Sequence, residues 1–215
     1  MALVVVVDYG MGNLRSVEKA LVHLGTSDVI KISGDPADVA LADKIVFPGQ
    51  GAMPDCMKEL DSRRLIEPIR LAAKTKPFLG ICIGLQLLFE RSDEGGVPGL
   101  GLMLGQARKF SPETPDATGA KYKVPHMGWN KVEICRRHPI FAEIDNQEYF
   151  YFVHSYFVEP FLSETIIGKT AYCNNFASAV AYENLVAVQF HPEKSQQAGL
   201  KLLSNFLNWD GCWAC

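Results

Sequence analysis

The sequence has no apolar run long enough to cross a lipid bilayer. Its 215 residues are 48% hydrophobic, yet no stretch approaches the roughly 20 consecutive apolar residues that a transmembrane helix needs. The first seven residues are apolar, but they lack the basic start of a signal peptide and lead directly to Asp8. We therefore expect a first strand at this position and no membrane partner.

The sequence also lacks an excess of basic residues and a phosphate-binding glycine loop. A formal net charge of −3 gives no basic footprint for a nucleic acid, so we expect no nucleic-acid partner. Gly10-Met-Gly12 has no third glycine at the offset of a dinucleotide fingerprint, and no P-loop pattern is present. We therefore expect no nucleotide and no other cofactor.

The cysteines show no regular spacing. A disulfide framework is not expected in a chain of this size without an export signal, which favours a reducing cytoplasm. Two cysteines near the end have a gap of two residues, as in a redox or metal pair, but there is no second pair and no neighbouring histidine, so we expect no metal site. The six are Cys56, Cys82, Cys135, Cys173, Cys212 and Cys215.

A cysteine flanked by two glycines stands at the end of an apolar run. Residues 78–81 predict a buried strand, and Leu85, Leu88 and Phe89 return at helical spacing, so Cys82 falls at a change from strand to helix. The G-x-C-x-G spacing is the thiol form of the nucleophile elbow, a sharp turn that holds the side chain at the carboxyl edge of a sheet. A cysteine in an apolar segment can equally be a structural core residue, and this segment alone leaves both interpretations open.

Two further segments supply what a thiol nucleophile needs. His191-Pro192-Glu193 follows a predicted strand, residues 185–190, so the imidazole can face the same sheet edge while the carboxylate orients it. Pro48-Gly49-Gln50-Gly51 follows another predicted strand, residues 45–47, and its glycines let backbone N–H groups approach a substrate oxygen. Taken separately, the histidine could lie in the core, the glutamate in solvent, and the glycine loop could be a plain turn.

The order of predicted elements indicates an α/β fold. Strands and helices alternate in the first half, which predicts a doubly wound, mostly parallel sheet with helices on both faces. The second half has β-favouring runs without long helices, read as added antiparallel strands, and ends in a helix over 197–209. We expect a single domain over 1–209 and a short tail over 210–215. The predicted added strands are Trp129–Ile134, Tyr149–Val158, Thr165–Tyr172 and Ala177–Tyr182.

The elbow together with His-Pro-Glu resembles the class I, triad-type glutamine amidotransferases. Three stretches narrow the likeness to the amidotransferase subunits of imidazole glycerol phosphate synthase, which act in histidine biosynthesis. They are Val7–Ser16, Pro125-His-Met-Gly-Trp-Asn130 and Glu193-Lys-Ser195.

The resemblance implies a glutaminase that releases ammonia from L-glutamine. Cys82 would attack the amide carbon, His191 would carry the proton and Glu193 would hold the imidazole in place. Backbone N–H groups near the glycine loop and after the cysteine would bind the oxyanion. The alternative bases are His126 and His154, which lack a neighbouring Pro-Glu. The expected oxyanion and substrate residues are Gly49, Gly51, Ile83, Gln86, Ser155 and Tyr156.

The resemblance also implies a partner, because nothing in the sequence suggests a site that accepts ammonia. The partner would be a cyclase with a (β/α)8 barrel that forms imidazole glycerol phosphate and an aminoimidazole carboxamide ribotide. The residues expected near the interface are Asn13, Lys123, Trp129 and Lys194. Trp129 could equally anchor the core.

Two other functions remain open at this point. One is a different cysteine hydrolase on the same scaffold, such as a pyridoxal phosphate synthase glutaminase or a γ-glutamyl hydrolase. The other is a non-catalytic interaction module, against which the presence of Cys82, His191 and Glu193 argues.

Overall fold

The computed structural model describes residues 1–111, 119 and 121–213. The helices are α1 (Leu14–His23), α2 (Pro36–Leu41), α3 (Met53–Ser62), α4 (Ile66–Thr75), α5 (Ile83–Gln86) and α6 (Gln196–Asn208). The strands are β1 (Leu3–Val7), β2 (Val29–Ser33), β3 (Lys44–Gly49), β4 (Phe78–Cys82), β5 (Phe89–Ser92), β6 (Met103–Lys109), β7 (His126–Ile134), β8 (Glu148–His154), β9 (Tyr156–Pro160), β10 (Ile166–Tyr172), β11 (Asn174–Tyr182) and β12 (Leu185–Val188).

A parallel sheet forms the centre of the fold. Its strands lie in the order β2-β1-β3-β4-β12 and all run in one direction. Strands covered on both faces read as continuous apolar runs, and residues 4–7, 45–49, 78–82 and 185–188 are buried without interruption. Because β4 lies between β3 and β12, the ends of these three strands meet at one edge.

Helices cover both faces of this sheet. Val17 of α1 and Phe206 of α6 belong to one hydrophobic cluster. Val39 of α2, Leu60 of α3 and Ile69 of α4 belong to the other. Alternate residues of the central strands enter the two clusters, as the period of two in a strand requires. The predicted doubly wound α/β fold is therefore confirmed.

The antiparallel strands extend the sheet from β12. The order continues β12-β11-β10-β7-β8, and β5, β6 and β9 form a branch that joins through β9 and β11. The predicted single strand over 149–158 is wrong, because Ser155 separates β8 from β9. These two strands pair with different partners: β8 pairs with β7, whereas β9 pairs with β6 and β11.

The helix predicted after the elbow is shorter than its apolar spacing indicated. It is the single turn α5, and Phe89 begins β5, which pairs with β6. Helix α3 and strand β6 were not predicted. Among the described residues, no helix combines the length and the apolarity required to span a membrane.

The end of the described chain folds back onto the domain. The Nε1–H of Trp213 donates to the Arg137 carbonyl at 3.0 Å, and its ring lies 5.1 Å from the His138 ring. Cys212 is a free thiol, whereas Cys215 lies outside the described residues. The expectation about this cysteine pair therefore stays a prediction.

Gly84→Ala is expected to lower the free energy of unfolding by about 2 kcal/mol, since overpacking a rigid core typically costs about 1–3 kcal/mol. A methyl group there would lie 1.9 Å from the Phe47 carbonyl oxygen. Urea unfolding followed by circular dichroism measures the change. In the control Gly25→Ala the methyl meets nothing within 4 Å, so only the left-handed backbone at φ +66° contributes, about 1 kcal/mol. Equal losses in the two variants would argue against the packing explanation.

Candidate active site

Cys82 has the strained backbone expected of a nucleophile elbow. Its φ is +57° and its ψ is −111°, and it joins the end of β4 to the first residue of α5. A non-glycine residue in this region is held there by its surroundings. The flanking glycines allow close packing: a Cβ on Gly84 would collide with the Phe47 carbonyl, and one on Gly80 would lie 2.9 Å from the Ala187 Cβ.

His191 and Glu193 form a buried pair beside this elbow. The Nδ1 of His191 lies 2.8 Å from Oε1 of Glu193, and both side chains are 2% exposed. A carboxylate only accepts, so Nδ1 carries a proton and Nε2 is the ring nitrogen available for chemistry. The backbone of His191 is also fixed, because its N–H donates to the Tyr151 carbonyl and its carbonyl accepts from Ser195 Oγ.

The charge around His191 favours its protonated form. Burial alone would lower the pKa of the imidazole, but the adjacent sulfur of Cys82 and the Glu193 carboxylate raise it to about 10. Among the described residues Nε2 has no hydrogen-bond partner, so its proton remains available for transfer. A protonated imidazole beside a cysteine favours the thiolate, which is the nucleophilic form.

The glycine loop lies next to the elbow because of the sheet register. Gly49 at the end of β3 pairs with Cys82, and a side chain on Gly49 would collide with the Tyr9 hydroxyl and with Ile83. The Gln50 carbonyl accepts from the Cys56 thiol at 3.7 Å. In a trans peptide the following N–H points the opposite way, so the N–H of Gly51 points away from Cys56.

A cavity of about 480 Å³ opens over these elements. Seven of the nine predicted catalytic, oxyanion and substrate residues line it, whereas Gly49 and Glu193 do not. Sequence reasoning missed the carboxylate of Glu94, which comes from a loop with no recognisable motif. The residues that line the cavity are Gln50, Gly51, Cys82, Ile83, Gln86, Glu94, Pro125, Val153, His154, Ser155, Tyr156, His191 and Lys194.

Gln86 lies in the cavity wall but is partly committed to the protein. Its side chain is 3% exposed, and its Nε2 donates to the Tyr156 carbonyl and to Gln189 Oε1, both at 3.1 Å. Ser155 forms the junction between β8 and β9, and Tyr156 begins β9. The three predicted substrate residues therefore lie together on one side of the cavity.

The two alternative bases, His126 and His154, are hydrogen-bonded to each other and to neighbouring groups. His154 Nδ1 lies 2.8 Å from the Tyr156 carbonyl and therefore donates, which leaves Nε2 to accept from Nδ1 of His126 at 2.9 Å. The remaining Nε2 of His126 accepts from the Asn130 amide at 3.2 Å. Burial lowers the pKa of His126 to about 4 and that of His154 to about 3. Both imidazoles are thus neutral donors and acceptors within the protein, with no free lone pair for catalysis.

The four predicted interface residues lie at the surface or at the cavity rim. Trp129 is 46% exposed, so the alternative of a buried anchor is wrong. Lys194 lines the cavity, and Lys123 is exposed. Asn13 is exposed and caps α1, accepting from the N–H of Ser16.

The neutral histidines predict a loss of stability in mild acid. In the unfolded chain a histidine has a pKa of about 6.5, above the folded values of His126 and His154. Between pH 4 and 6.5 the unfolded state therefore binds more protons, and the free energy of unfolding falls as the pH drops below 6.5. From pH 7 to pH 5 we expect each histidine to contribute a loss of about 1–2 kcal/mol.

His126→Gln tests this, because the variant should lose about 1–2 kcal/mol less than the wild type over the same pH step. The measurement is urea unfolding at pH 7 and pH 5. Imidazole ¹⁵N spectra of the folded wild type provide the check. A His126 signal that titrates near pH 6.5 would contradict the prediction.

Comparison with known proteins agrees with this geometry. The family model for glutamine amidotransferase class-I matches residues 5–209. The chain is 55% identical over 212 residues to the imidazole glycerol phosphate synthase subunit HisH of Aromatoleum aromaticum, covering 97% of this chain and 99% of that protein. It is 53% identical over 210 residues to the same subunit of Nitrosospira multiformis, again covering 97% and 99%.

Solved structures share the fold at much lower identity. The structure of PurLQS from Thermotoga maritima contains a chain that matches with a TM-score of 0.72 and 17% identity, covering 97% of this chain and 99% of that one. A structure of a glutamine amidotransferase matches with a TM-score of 0.70 and 18% identity, covering 95% and 97%. Since these two likenesses concern fold alone, the family rests on the sequence matches. The chain belongs to the class-I glutamine amidotransferases and, within them, to the HisH subunits of imidazole glycerol phosphate synthase.

Proposed function

We propose that Cys82, His191 and Glu193 hydrolyse L-glutamine to glutamate and ammonia, and that the ammonia passes to the partner subunit of the synthase for histidine biosynthesis. The supporting observation is the meeting, at one cavity, of a strained cysteine and a buried imidazole held by a carboxylate. This is the arrangement that acyl transfer by a thiol requires.

The first half of the reaction forms a thioester. The Cys82 thiolate attacks the amide carbon of glutamine, and the carbonyl oxygen becomes an oxyanion. The N–H of Ile83 can bind it, because the first N–H groups of a helix have no partner within the helix. The N–H of Gly51 is the second donor. Nε2 of His191 then gives its proton to the amide nitrogen, the C–N bond breaks and ammonia leaves.

The second half releases glutamate. Neutral His191 takes a proton from water, and the resulting hydroxide attacks the thioester carbon. The C–S bond breaks, the Cys82 thiolate returns and glutamate leaves with the new oxygen. Glu193 keeps Nδ1 protonated in both halves, so that Nε2 always faces the sulfur.

The polar groups on the cavity wall suit the amino-acid end of glutamine. Oε2 of Glu94 accepts from the Met53 N–H, which leaves Oε1 to pair with the substrate ammonium. Gln86, Ser155 and Tyr156 also line the cavity, and side-chain and backbone N–H groups there can bind the carboxylate. Charge-assisted hydrogen bonds of this kind orient a substrate as well as holding it.

Replacing members of the triad should remove glutaminase activity. We expect Cys82→Ala to lower kcat by more than about 10³-fold, because the substitution removes the proposed nucleophile. Glu193→Gln keeps the shape but removes the charge, and we expect a fall of about 10²- to 10⁴-fold. Ammonia release from glutamine, with the partner subunit and its ribotide present, measures both effects.

Cys135→Ala is the matched control, since this thiol is free and exposed and should retain activity within about twofold of the wild type. Full activity in Cys82→Ala would refute the proposed mechanism. Failure of a glutamine-analogue electrophile to label Cys82, even with the partner bound, would favour the non-catalytic module.

A partner is needed because ammonia is mostly protonated at neutral pH and is then no longer a nucleophile. Direct delivery to an acceptor site avoids this loss. The relatives are named as synthase subunits, and a cyclase with a (β/α)8 barrel is the partner we propose. It would use the ammonia to form imidazole glycerol phosphate and the carboxamide ribotide.

Strands β7 and β8 provide the proposed docking face. Residues 126, 150, 152 and 154 turn inward and are buried, while Met127, Trp129 and Tyr149 on the other face are 63%, 46% and 48% exposed. This exposed face reaches the cavity rim, since Lys194 lies over the Tyr151 ring and also lines the cavity. Exposed aromatic residues beside a cavity mouth are typical of an interface.

Trp129→Ala should weaken binding of the cyclase by at least about tenfold, because tryptophan is a frequent hot spot of protein interfaces. Isothermal titration with the cyclase measures Kd. Phe161→Ala is the matched control: this side chain is also aromatic and 60% exposed, but it lies after β9, away from the proposed face. An equal change in Kd for the two variants would contradict the location of the interface.

The compartment and the domain boundary are part of the same proposal. Cys56, Cys82, Cys135, Cys173 and Cys212 are free thiols, which supports a reducing cytoplasm. The family match over 5–209 supports one catalytic domain over 1–209, with 210–215 as a short tail.

A further inference from the structure

Gln189 lies directly beside the nucleophile, although no motif assigned it a role. Strand β12 pairs with β4 up to Val188 and Ile81, so the next residues in register are Gln189 and Cys82. The Gln189 side chain is fully buried, and its Nε2 lies 3.8 Å from the Cys82 sulfur.

The hydrogen-bond network fixes which end of the Gln189 amide faces the sulfur. The Tyr156 carbonyl can only accept, and its neighbours are His154 Nδ1 at 2.8 Å and Gln86 Nε2 at 3.1 Å. A reversed Gln86 amide would place two oxygen atoms against each other, so Gln86 donates here. Its second hydrogen goes to Gln189 Oε1 at 3.1 Å. If the Gln189 amide were reversed, its nitrogen would face the nitrogen of Gln86. The Gln189 oxygen therefore faces Gln86, and the Gln189 Nε2–H points at the Cys82 sulfur.

The surroundings of the sulfur differ for the thiol and for the thiolate. The thiol can donate to the Val153 carbonyl, 4.0 Å away, whereas the thiolate cannot. A thiolate instead accepts from the Gln189 amide, and the protonated His191 beside it favours the negative charge. Hydrogen bonds to an ionised group favour that ionised form.

We propose that Gln189 is a further residue of the catalytic machinery, which donates a hydrogen bond to the Cys82 thiolate and holds the sulfur toward the cavity. The inference rests on the proposed function, since it concerns the same nucleophile. Gln86 has a second role in this arrangement: it orients the Gln189 amide as well as lining the substrate cavity.

The test is alkylation of Cys82 by iodoacetamide as a function of pH, followed by peptide mass spectrometry. Gln189→Met removes the donor while nearly preserving volume. We expect the midpoint of the alkylation profile to move up by about 0.5–1 pH unit, so that the rate at pH 7 falls about three- to tenfold. With the partner bound, kcat for glutamine should fall while KM stays within about twofold.

Ser178→Ala is the matched control. Ser178 belongs to the neighbouring strand β11, its buried hydroxyl accepts from Thr170 Oγ1, and its carbonyl accepts from the Gln189 N–H. Within the described residues its side chain makes no hydrogen bond to the Cys82 sulfur. We expect an unchanged alkylation profile. If Gln189→Met does not fold, Gln189→Asn withdraws the amide by one methylene and should shift the profile in the same direction.

An unchanged profile in a folded Gln189 variant would overturn the inference, even if kcat falls, because a purely structural role does not alter the protonation of the sulfur. The alkylation readout uses no glutamine, so the two proposals can fail separately. An inactive Cys82→Ala with an unshifted Gln189→Met refutes only the inference, whereas an active Cys82→Ala refutes the proposed function.

Discussion

The backbone of Cys82 is the constraint on which the site depends. A residue at φ +57° is unfavourable by roughly 1–3 kcal/mol, and the fold maintains it by packing bare backbone around the turn. Gly84 lies against the Phe47 carbonyl, and Gly49 lies against Tyr9 and Ile83. These contacts bring the end of β3 beside the sulfur, so the geometry that strains the cysteine also places the glycine loop next to it.

The polar groups around two buried histidines shift their pKa values in opposite directions. His154 and His191 are both almost fully buried, yet the pKa of His154 is lowered to about 3 and that of His191 is raised to about 10. Burial lowers both, but only His191 has a carboxylate and the Cys82 sulfur beside it. His154 meets a carbonyl and another imidazole, which do not compensate the charge. Environment therefore separates the proposed proton carrier, His191, from the structural histidine, His154.

The parts predicted well from the sequence are those with a local signal. Strands buried on both faces read as apolar runs, the elbow has its glycines at fixed offsets, and His191 and Glu193 are two residues apart. Helix α3 was missed because its ten residues are mixed in polarity, although the buried ones, Met53, Cys56 and Leu60, lie at the spacing of one helix face. Strand β6 is likewise mixed in polarity and depends on pairing with β5 and β9.

The side chains that were missed depend on distant contacts. Glu94 enters the cavity from a loop and is held by the start of α3, 41 residues earlier. Gln189 lies beside Cys82 only through the pairing of β12 with β4, across 107 positions of sequence. A glutamine at the end of an apolar strand has no pattern that distinguishes a thiol partner from an ordinary buried amide. Such roles become visible only when the register is known.

The proposed docking face and the candidate active site share one pair of strands. The exposed side of β7 and β8 presents Met127, Trp129 and Tyr149, while the backbone of β8 contacts the proposed catalytic residues. The Val153 carbonyl lies next to the Cys82 sulfur, and the Tyr151 carbonyl accepts from the N–H of His191. Because close-packed interiors transmit strain, a shift of β8 would displace neighbours of both Cys82 and His191. A protein bound to this face would therefore contact the strand whose carbonyls lie next to Cys82 and accept from His191.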